Sequence, residues 1–406
     1  MSNSEEVNNH VHSNYSFSPY TPTQIVDEAI KAGIKTVGLM DHDTIAGASE
    51  FLQSARYKGI AATVGCEIRV HLNGTNLEGK KVNNPDEANI IYIAIHGIPE
   101  NQFAKIKKFL QPIRKVRMKR CQDETSKLND WLNKCKIPEI DFFNDVLPIS
   151  RFNEGGTITE RHICYALAKK IIQKSDANKN LMSVLKDDLG LEIKSKTEKF
   201  LGNKKDPHLV YDILGILKAQ VVPHFFIPSS LSECPSAYEA ATFAQSINAI
   251  PAYAYLGDVT NSPTGDKKPE IFEDSFLDEL IPTLKQLGFK AVTYMPPRNT
   301  REQLQRIQEL CNKHDLMEIS GVDINNPRQS FNCPTLLEPD YHHLCDAAWA
   351  LIAHEKCSNK NPIEGIFHPD NPLKDLSLRD RIKHYAMMGR KLHQSQTETE
   401  TETEKG

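Results

Sequence analysis

The 406-residue sequence predicts an α/β fold, in which a barrel of parallel strands and helices carries a helical insertion. Short runs rich in Val and Ile alternate with amphipathic stretches from Val7 to about Ile98, a pattern typical of βαβ units. The alternation stops between residues 99 and 220 and then resumes. Acidic residues and histidines also follow several predicted strands, and the carboxyl ends of barrel strands converge on one face.

The first part of the chain divides into strand and helix units. After a first strand near Val7, a helix begins at Thr21-Pro22 and ends at Gly33, where a strand over 35–40 follows. A helix over 46–58 then leads to a strand over 60–64, and a polar excursion separates this strand from one over 88–95. Beyond the insertion, the pattern predicts strands over 221–227, 249–255, 290–295 and 316–323, and helices over 237–248, 276–287 and 301–314.

These elements define three regions. Residues 1–98 and 221–393 form a discontinuous barrel, with helices over 341–354 and 378–392 expected to pack outside it. Residues 99–220 form an inserted helical domain, and the repetitive acidic tail over 394–406 is expected to be disordered. Because the insertion follows His96 at a strand end, we expect it to lie over the carboxyl-end face as a lid.

Composition excludes several classes of protein. An apolar fraction of 39% with 25% charged residues provides a core and rules out wholesale disorder. With neither an apolar span nor a signal-like start, the sequence predicts a cytoplasmic protein without a membrane partner. The nine cysteines contain no Cys-x-x-Cys pair and are expected to be reduced thiols. A formal charge of −4 gives no general attraction to nucleic acid, so a polyanion would need a local basic site.

Two histidines end the first strand. His10 and His12 are two residues apart, so their imidazoles lie on the same side of a strand and could bind one metal ion. Such a pair is common by chance and could equally lie on the surface. Its position favours the metal site, because other candidate ligands follow the next three strands: Asp41, His42 and Asp43, then Glu67, then His96.

Each of these later residues also has a structural interpretation. Asp43 or Thr44 could cap the helix that follows, while Asp41 and His42 face the cavity. Glu67 could be a solvated charge, and His96 a hydrogen-bonded histidine at the sheet edge. Only their joint placement at strand ends favours a metal centre.

The ordered motifs resemble those of the PHP (polymerase and histidinol phosphatase) domain family. They are Asn9–Ser13, Met40–Thr44 and Gly65–Ile68, within a resemblance that covers residues 7–98 and, more loosely, 221–330. The resemblance implies a distorted seven-stranded (β/α)7 TIM-like barrel that holds two or three divalent metal ions, zinc, manganese or iron. It also implies hydrolysis of phosphoesters.

The resemblance further implies roles for individual residues. Glu67 would bridge two metals, the second of which His96 also binds, while His42 would belong to a third. The implied ligands of the first metal are His10, His12, Glu67 and Asp323.

The chain departs from the family pattern at three positions. Tyr255 stands where a histidine ligand of the second metal is usual, Asn325 replaces another histidine, and an early ligand of the third metal falls near Ser18. We therefore expect two bound metals rather than three, with Tyr255 as a neutral phenol near a metal-bound water. His224 is a possible substitute ligand.

A phosphoester substrate also requires cations on the protein. Arg298 and Arg328 are the first candidates because each follows a barrel strand, and His42 or water would protonate the leaving oxygen. Further candidates are Lys267, Lys268 and Arg161.

These observations lead to one hypothesis with two alternatives. The first is a metal-dependent phosphoesterase that acts on a small phosphorylated or nucleotide-like molecule through a metal-activated hydroxide. An amidohydrolase-type C–N hydrolase could use the same two-metal site but would need fewer cations at the rim. The third possibility is a non-catalytic metal-binding module, which the substitutions at Tyr255 and Asn325 would favour.

Overall fold

A single seven-stranded sheet forms the centre of the molecule, in a computed structural model that describes residues 6–135, 137–178, 180–258 and 272–403. The strands lie in chain order and curve into a nearly closed barrel, which confirms the distorted TIM-like fold. They are β1 (Val7–Val11), β2 (Thr36–His42), β3 (Ala61–His71), β4 (Ile90–His96), β5 (Ile250–Tyr255), β6 (Ala291–Tyr294) and β7 (Met317–Ser320).

Strand β4 runs antiparallel to both of its neighbours, whereas the other pairs are parallel. Cys66 pairs with Ile95 and His71 with Ile90, so the end of β4 lies beside the middle of β3. On the other side, His96 pairs with Ile250, the first residue of β5. The parallel pairing that is typical of βαβ units is therefore interrupted at this strand.

The barrel closes between β1 and the segment that follows β7. The His12 amide donates to the Ile324 carbonyl over 3.0 Å, and the Ile324 amide donates to the His10 carbonyl over 3.1 Å. A glycine is needed at position 321, because a Cβ there would lie 2.5 Å from the His10 Cβ. This close approach brings the residues after β7 beside the first strand.

Helices cover the outside of the sheet and form the insertion. The main hydrophobic core lies between the strands and the helices packed against them. None of the helices in the described ranges combines the length and apolar character that crossing a membrane requires. The α-helices are α1 (Pro22–Ala32), α2 (Ala48–Tyr57), α3 (Phe103–Leu132), α4 (Glu160–Asn178), α5 (Leu181–Ser183), α6 (Ser195–Leu201), α7 (Leu209–Gln220), α8 (Val222–Phe225), α9 (Ala237–Ser246), α10 (Leu277–Gln286), α11 (Arg301–His314), α12 (His342–Lys360) and α13 (Leu378–Thr403).

The inserted helices lie over the carboxyl end of the barrel, although β4 ends at the opposite side. The 30-residue helix α3 connects the two sides: Ile106 and Leu110 pack in the barrel core, and Arg117 contacts Asp43 just beyond β2. A further contact joins the Thr44 hydroxyl to the Gly155 carbonyl over 2.6 Å. The expected position of the insertion is thus observed, but a long helix, rather than the exit point of β4, produces it.

Two boundaries differ from those predicted. Residues 221–227 are not a strand, because α8 covers most of them and packs Val221 and Phe225 into the insertion's own core. An apolar run of this length is ambiguous between a strand and a buried helical segment. At the other end, α13 continues to Thr403, past the boundary at 394.

Helix α12 closes the amino end of the barrel. Its residues Ala347 and Ala350 share a core with Ala61, Ile250 and Met317 from the beginnings of three strands. Glu355 attaches the helix to β3 by accepting hydrogen bonds from the Thr63 hydroxyl and, over 2.8 Å, from the Val64 amide. Since one end of the barrel is filled, access to its interior is from the carboxyl end.

The Glu355 carboxyl should make the protein less stable as pH rises. Burial raises its pKa to about 8, against the hydrogen bonds from Thr63 and Val64. The folded state then holds a proton that the unfolded chain releases near pH 4.5, so stability falls between about pH 4.5 and 8. Glu355→Gln should flatten this decline in the free energy of unfolding, measured by urea titration, whereas Glu309→Gln at an exposed position should not. Equal slopes in all three proteins would contradict the assignment.

Candidate metal centre

Three of the proposed ligands meet at the carboxyl end of the barrel. Ring nitrogens of His10 and His12 and a carboxylate oxygen of Glu67 all lie within 4.8 Å of one another. His10 belongs to β1 and His12 follows it, while Glu67 extends from the adjoining part of β3. The side chains are largely buried, so their polar atoms converge in a space that is mostly shielded from solvent.

Asp323 reaches the same place from the far end of the chain. Its Oδ1 lies 3.1 Å from His12 Nε2, although more than 250 residues separate Asp323 from Glu67. The barrel closure through Ile324 produces this proximity. His12 Nε2 is buried yet makes no well-aligned hydrogen bond, the relation expected of two ligands that face one cation.

His42 completes the cluster from the end of β2. Its Nδ1 lies 3.0 Å from Glu67 Oε2, and its ring stacks on His12 with centroids 4.6 Å apart. The His42 side chain is 21% exposed and that of His12 only 1%, so His42 is the more accessible of the two imidazoles.

The imidazoles of the cluster lower the pKa values of its two carboxyl groups. Burial alone would raise the pKa of Glu67, but His42, His10 and His12 lower it to about 2. In the same way, His12, His10 and Arg161 lower the pKa of Asp323 well below its usual value against the effect of burial. Both carboxylates are therefore ionised at neutral pH and available as ligands.

The donor set fits a divalent cation. Imidazole nitrogens combined with carboxylate oxygens suit zinc, manganese or iron(II), and the buried His12 Nε2 faces the Asp323 carboxylate, so both are directed at one point that a cation could occupy. The residues placed to hold such an ion are His10, His12, Glu67 and Asp323, with His42 adjoining.

Asp41 does not face the cavity as expected. It is fully buried, and its oxygens accept hydrogen bonds from the Ser13 amide, the Ser13 hydroxyl and the Ser16 hydroxyl over 2.6–2.7 Å. Ser16 Oγ also lies 3.4 Å from His12 Nδ1. Asp41 and Ser16 thus form a chain behind His12 that orients its other nitrogen toward the cluster. Neither serine was predicted, because their partner lies on another strand.

His96 lies outside the group of clustered ligand atoms. Since β4 is antiparallel, its last residue lies beside the beginning of β5 rather than at the carboxyl end. Burial, with a smaller effect of His10, lowers the pKa of His96 to about 3 against the effect of Glu67, so the ring lies near both residues, and its buried Nε2 has no hydrogen-bond partner among the described residues. Tyr92, four residues earlier in β4, lies instead beside His42, with ring centroids 6.4 Å apart.

The predicted substrate cations differ in their surroundings. Arg328 is held by Asp206 and Asp212 of the insertion, each over 2.7 Å, so it fastens the insertion to the loop after β7. Arg298 Nε donates to the Leu256 carbonyl over 3.2 Å. Arg161, at the start of α4, is half-buried and close enough to lower the pKa of Asp323. Lys267 and Lys268 lie outside the described residues.

The residues that differ from the family pattern form hydrogen bonds within the protein. Tyr255 belongs to the core between sheet and helices, and its hydroxyl donates to Asp274 over 2.7 Å, so its side chain has a structural partner. The side-chain amide of Asn325 donates to Asp323 Oδ1 over 2.6 Å, and Ser18 Oγ accepts a hydrogen bond from the backbone amide of Tyr20. His224 stacks on Trp131 within the insertion and is not a substitute ligand.

Ser16→Ala should weaken metal binding without unfolding the protein. Loss of the hydroxyl behind His12 leaves the imidazole free to rotate and to change tautomer, and such supporting groups typically contribute about 10- to 100-fold in affinity. The dissociation constant for Zn²⁺, measured by competition with a chelator, should rise accordingly. Ser175→Ala, which removes a buried hydroxyl from α4, is the matched control. Equal affinities in the two variants would show that Ser16 does not orient His12.

Tyr255→Phe and Tyr255→His should leave the metal content unchanged. The phenylalanine variant should be less stable by about 1–3 kcal/mol, because Asp274 loses a hydroxyl donor in a partly buried position. Elemental analysis of the purified variants gives the stoichiometry and urea unfolding gives the stability. An additional bound metal in the histidine variant would mean that position 255 does face the centre.

Comparisons with known proteins agree with this fold. The structure is similar to that of a protein from Bifidobacterium adolescentis described as a metal-dependent phosphoesterase. The similarity covers 82% of this chain and 94% of that protein, with a TM-score of 0.52 and 19% sequence identity. An amidohydrolase from Chromobacterium violaceum matches with a TM-score of 0.51 and 16% identity, over 81% of this chain and 90% of its own. At these low sequence identities, the similarity shows a shared fold and no more.

The matches found by sequence cover shorter segments of the chain. The chain is 32% identical over 130 residues to a 5'-3' exoribonuclease from Haemophilus influenzae, and 38% identical over 61 residues to an error-prone DNA polymerase from Nocardia farcinica. These matches cover 32% and 14% of this chain but only 40% and 5% of the two relatives. The PHP domain family model matches residues 8–196, which include the first three clustered ligands and much of the insertion. This match covers slightly less than half of the chain, and it confirms the resemblance to the PHP domain predicted from the motifs.

Proposed function

We propose that the protein is a metal-dependent phosphoesterase that hydrolyses a small phosphorylated or nucleotide-like substrate. The observation that carries the proposal is the convergence of His10, His12, Glu67 and Asp323 on one largely enclosed point. The PHP domain and the phosphoesterase-like fold support a hydrolase. Both curated relatives have names that refer to polynucleotides, which supports a nucleotide-like substrate.

The chain's own residues can divide the work of hydrolysis. A divalent cation bound by the four ligands would supply Lewis acidity for a phosphoryl oxygen and for water. Ser16 and Asp41 hold the His12 ring, so that its Nε2 remains directed at the cluster. His42, the accessible imidazole, is placed to give a proton to the leaving oxygen.

Arg161 is the cation best placed for the substrate's phosphate. It lies in the insertion close enough to Asp323 to lower the pKa of that carboxyl, and the described residues give its guanidinium no ion pair, whereas Arg328 is neutralised by two carboxylates. A guanidinium can contact two phosphate oxygens at once, which favours a charged ester over an amide. The amide-hydrolase alternative does not require this residue.

Glu67→Gln should reduce kcat/KM by at least about 100-fold, because it removes a ligand charge from the centre. Arg161→Gln should raise KM for phosphoesters by about tenfold and leave the metal content unchanged. The measurement is turnover of a panel of nucleoside monophosphates, sugar phosphates, a dinucleotide and an N-acyl amino acid, with Zn²⁺, Mn²⁺ and Fe²⁺ tested separately. Arg379→Gln, at an exposed position on α13, is the control.

Two outcomes would contradict the proposal. Turnover of the amide but of no phosphoester would favour the C–N hydrolase. A protein that binds metal through these ligands yet hydrolyses neither class would be a non-catalytic metal-binding module.

A further inference from the structure

A groove of about 760 Å³ separates helices α3 and α9 on the outer wall of the barrel. Its lining combines apolar side chains with two lysines, Lys105 and Lys108, which lie one helical turn apart on α3. Glu239 is the single acidic residue among those that line it. None of these residues belongs to the metal centre, and the proposed hydrolysis does not use them.

The helix that forms one wall of the groove is strongly basic. Residues 103–121 contain eight lysines and arginines and no acidic residue. Arg117 and Arg120 are buried and paired with carboxylates, so they stabilise the insertion. The exposed lysines differ, because Lys105, Lys107, Lys108 and Lys115 form no ion pair within the described part of the chain. An otherwise acidic protein thus presents a local stripe of unneutralised positive charge.

The floor of the groove is aromatic and apolar. Phe109 of α3 and Phe243 of α9 stack with centroids 4.0 Å apart and an interplanar angle of 7°, and both remain partly exposed. Leu231, at the opposite wall, is 57% exposed. Apolar surface for bases beside lysines for phosphates is the combination that proteins use to bind single-stranded nucleic acid.

We propose that this groove binds a single-stranded polynucleotide. A duplex would satisfy the lysines but hides its bases from the apolar floor, whereas a single strand offers both. An anionic membrane would also attract the lysines, but the apolar side of α3, including Ile106 and Leu110, is buried in the barrel and cannot insert into lipid. Charge and shape together therefore favour the single strand.

The groove is connected to the metal centre by the same helix. Lys105 and Arg117 are twelve residues apart, or about 18 Å along the axis of α3. Arg117 contacts Asp43, the residue that follows His42. A strand that lies along α3 would thus extend toward the end of the barrel where hydrolysis is proposed. This second step rests on the proposed function; binding in the groove does not.

The test is fluorescence anisotropy with a labelled single-stranded RNA of about twenty nucleotides and metal-free protein in EDTA. Lys105→Gln combined with Lys108→Gln should weaken binding by about tenfold. The slope of log K against log salt should fall by about 1.4, since each lost phosphate contact contributes about 0.7 for single strands. Phe109→Leu should weaken binding about fivefold with little change in this slope.

The matched control replaces two exposed lysines elsewhere, Lys313→Gln and Lys383→Gln, and should bind like the wild type. Turnover of a small phosphoester should be equal in all variants, so a failure of the phosphoesterase proposal and a failure of this one can be distinguished. Three results would overturn the groove proposal: equal RNA affinity in wild type and the Lys105/Lys108 variant, equal loss in the control, or tighter binding of phosphatidylserine vesicles than of RNA.

Discussion

The reversed direction of β4 determines where the inserted helices can go. A strand antiparallel to its neighbours delivers the chain to the amino end of the barrel, where α12 already fills the opening. The chain must therefore return along the side of the barrel before the insertion can reach the carboxyl end. Helix α3 makes this return in a single 30-residue element, and its length follows from the height that it must span.

Charge then fixes the insertion in place. Arg117 and Arg120 on α3 are buried beside Asp43, Glu160 and Glu233, which come from the barrel, from α4 and from the segment before α9. Buried ions are costly unless every partner is present, so displacing the insertion from the barrel would leave these charges unpaired at a high cost in free energy. Asp43 has a φ of 50°, a left-handed conformation that asparagine and aspartate adopt more readily than most residues. The turn after β2 thus positions His42 at the cluster and also presents Asp43 to Arg117 of the insertion.

Local signals in the sequence were sufficient for most of the barrel. The helix predicted over 301–314 has those bounds in the structure. The strand predicted over 60–64 is longer, however, because β3 continues to His71 and Glu67 lies within it rather than after it. The direction of β4 could also have been inferred, because residues 72–89 contain no helical pattern and a parallel connection needs a crossover helix. By contrast, the partners of Arg328 lie more than 100 residues away, and the outward direction of Tyr255 depends on packing. Local patterns contain neither kind of information.

The closure between β1 and Ile324 has a consequence for how the protein is made. Three clustered ligands are synthesised within the first 67 residues, whereas Asp323 and helix α12 follow more than 250 residues later. At translation rates of about 5–20 residues per second, this interval lasts on the order of ten seconds or more. During that time the nascent chain exposes two imidazoles and a carboxylate without the segment that encloses them. The four-ligand set is therefore complete only after most of the chain has been synthesised.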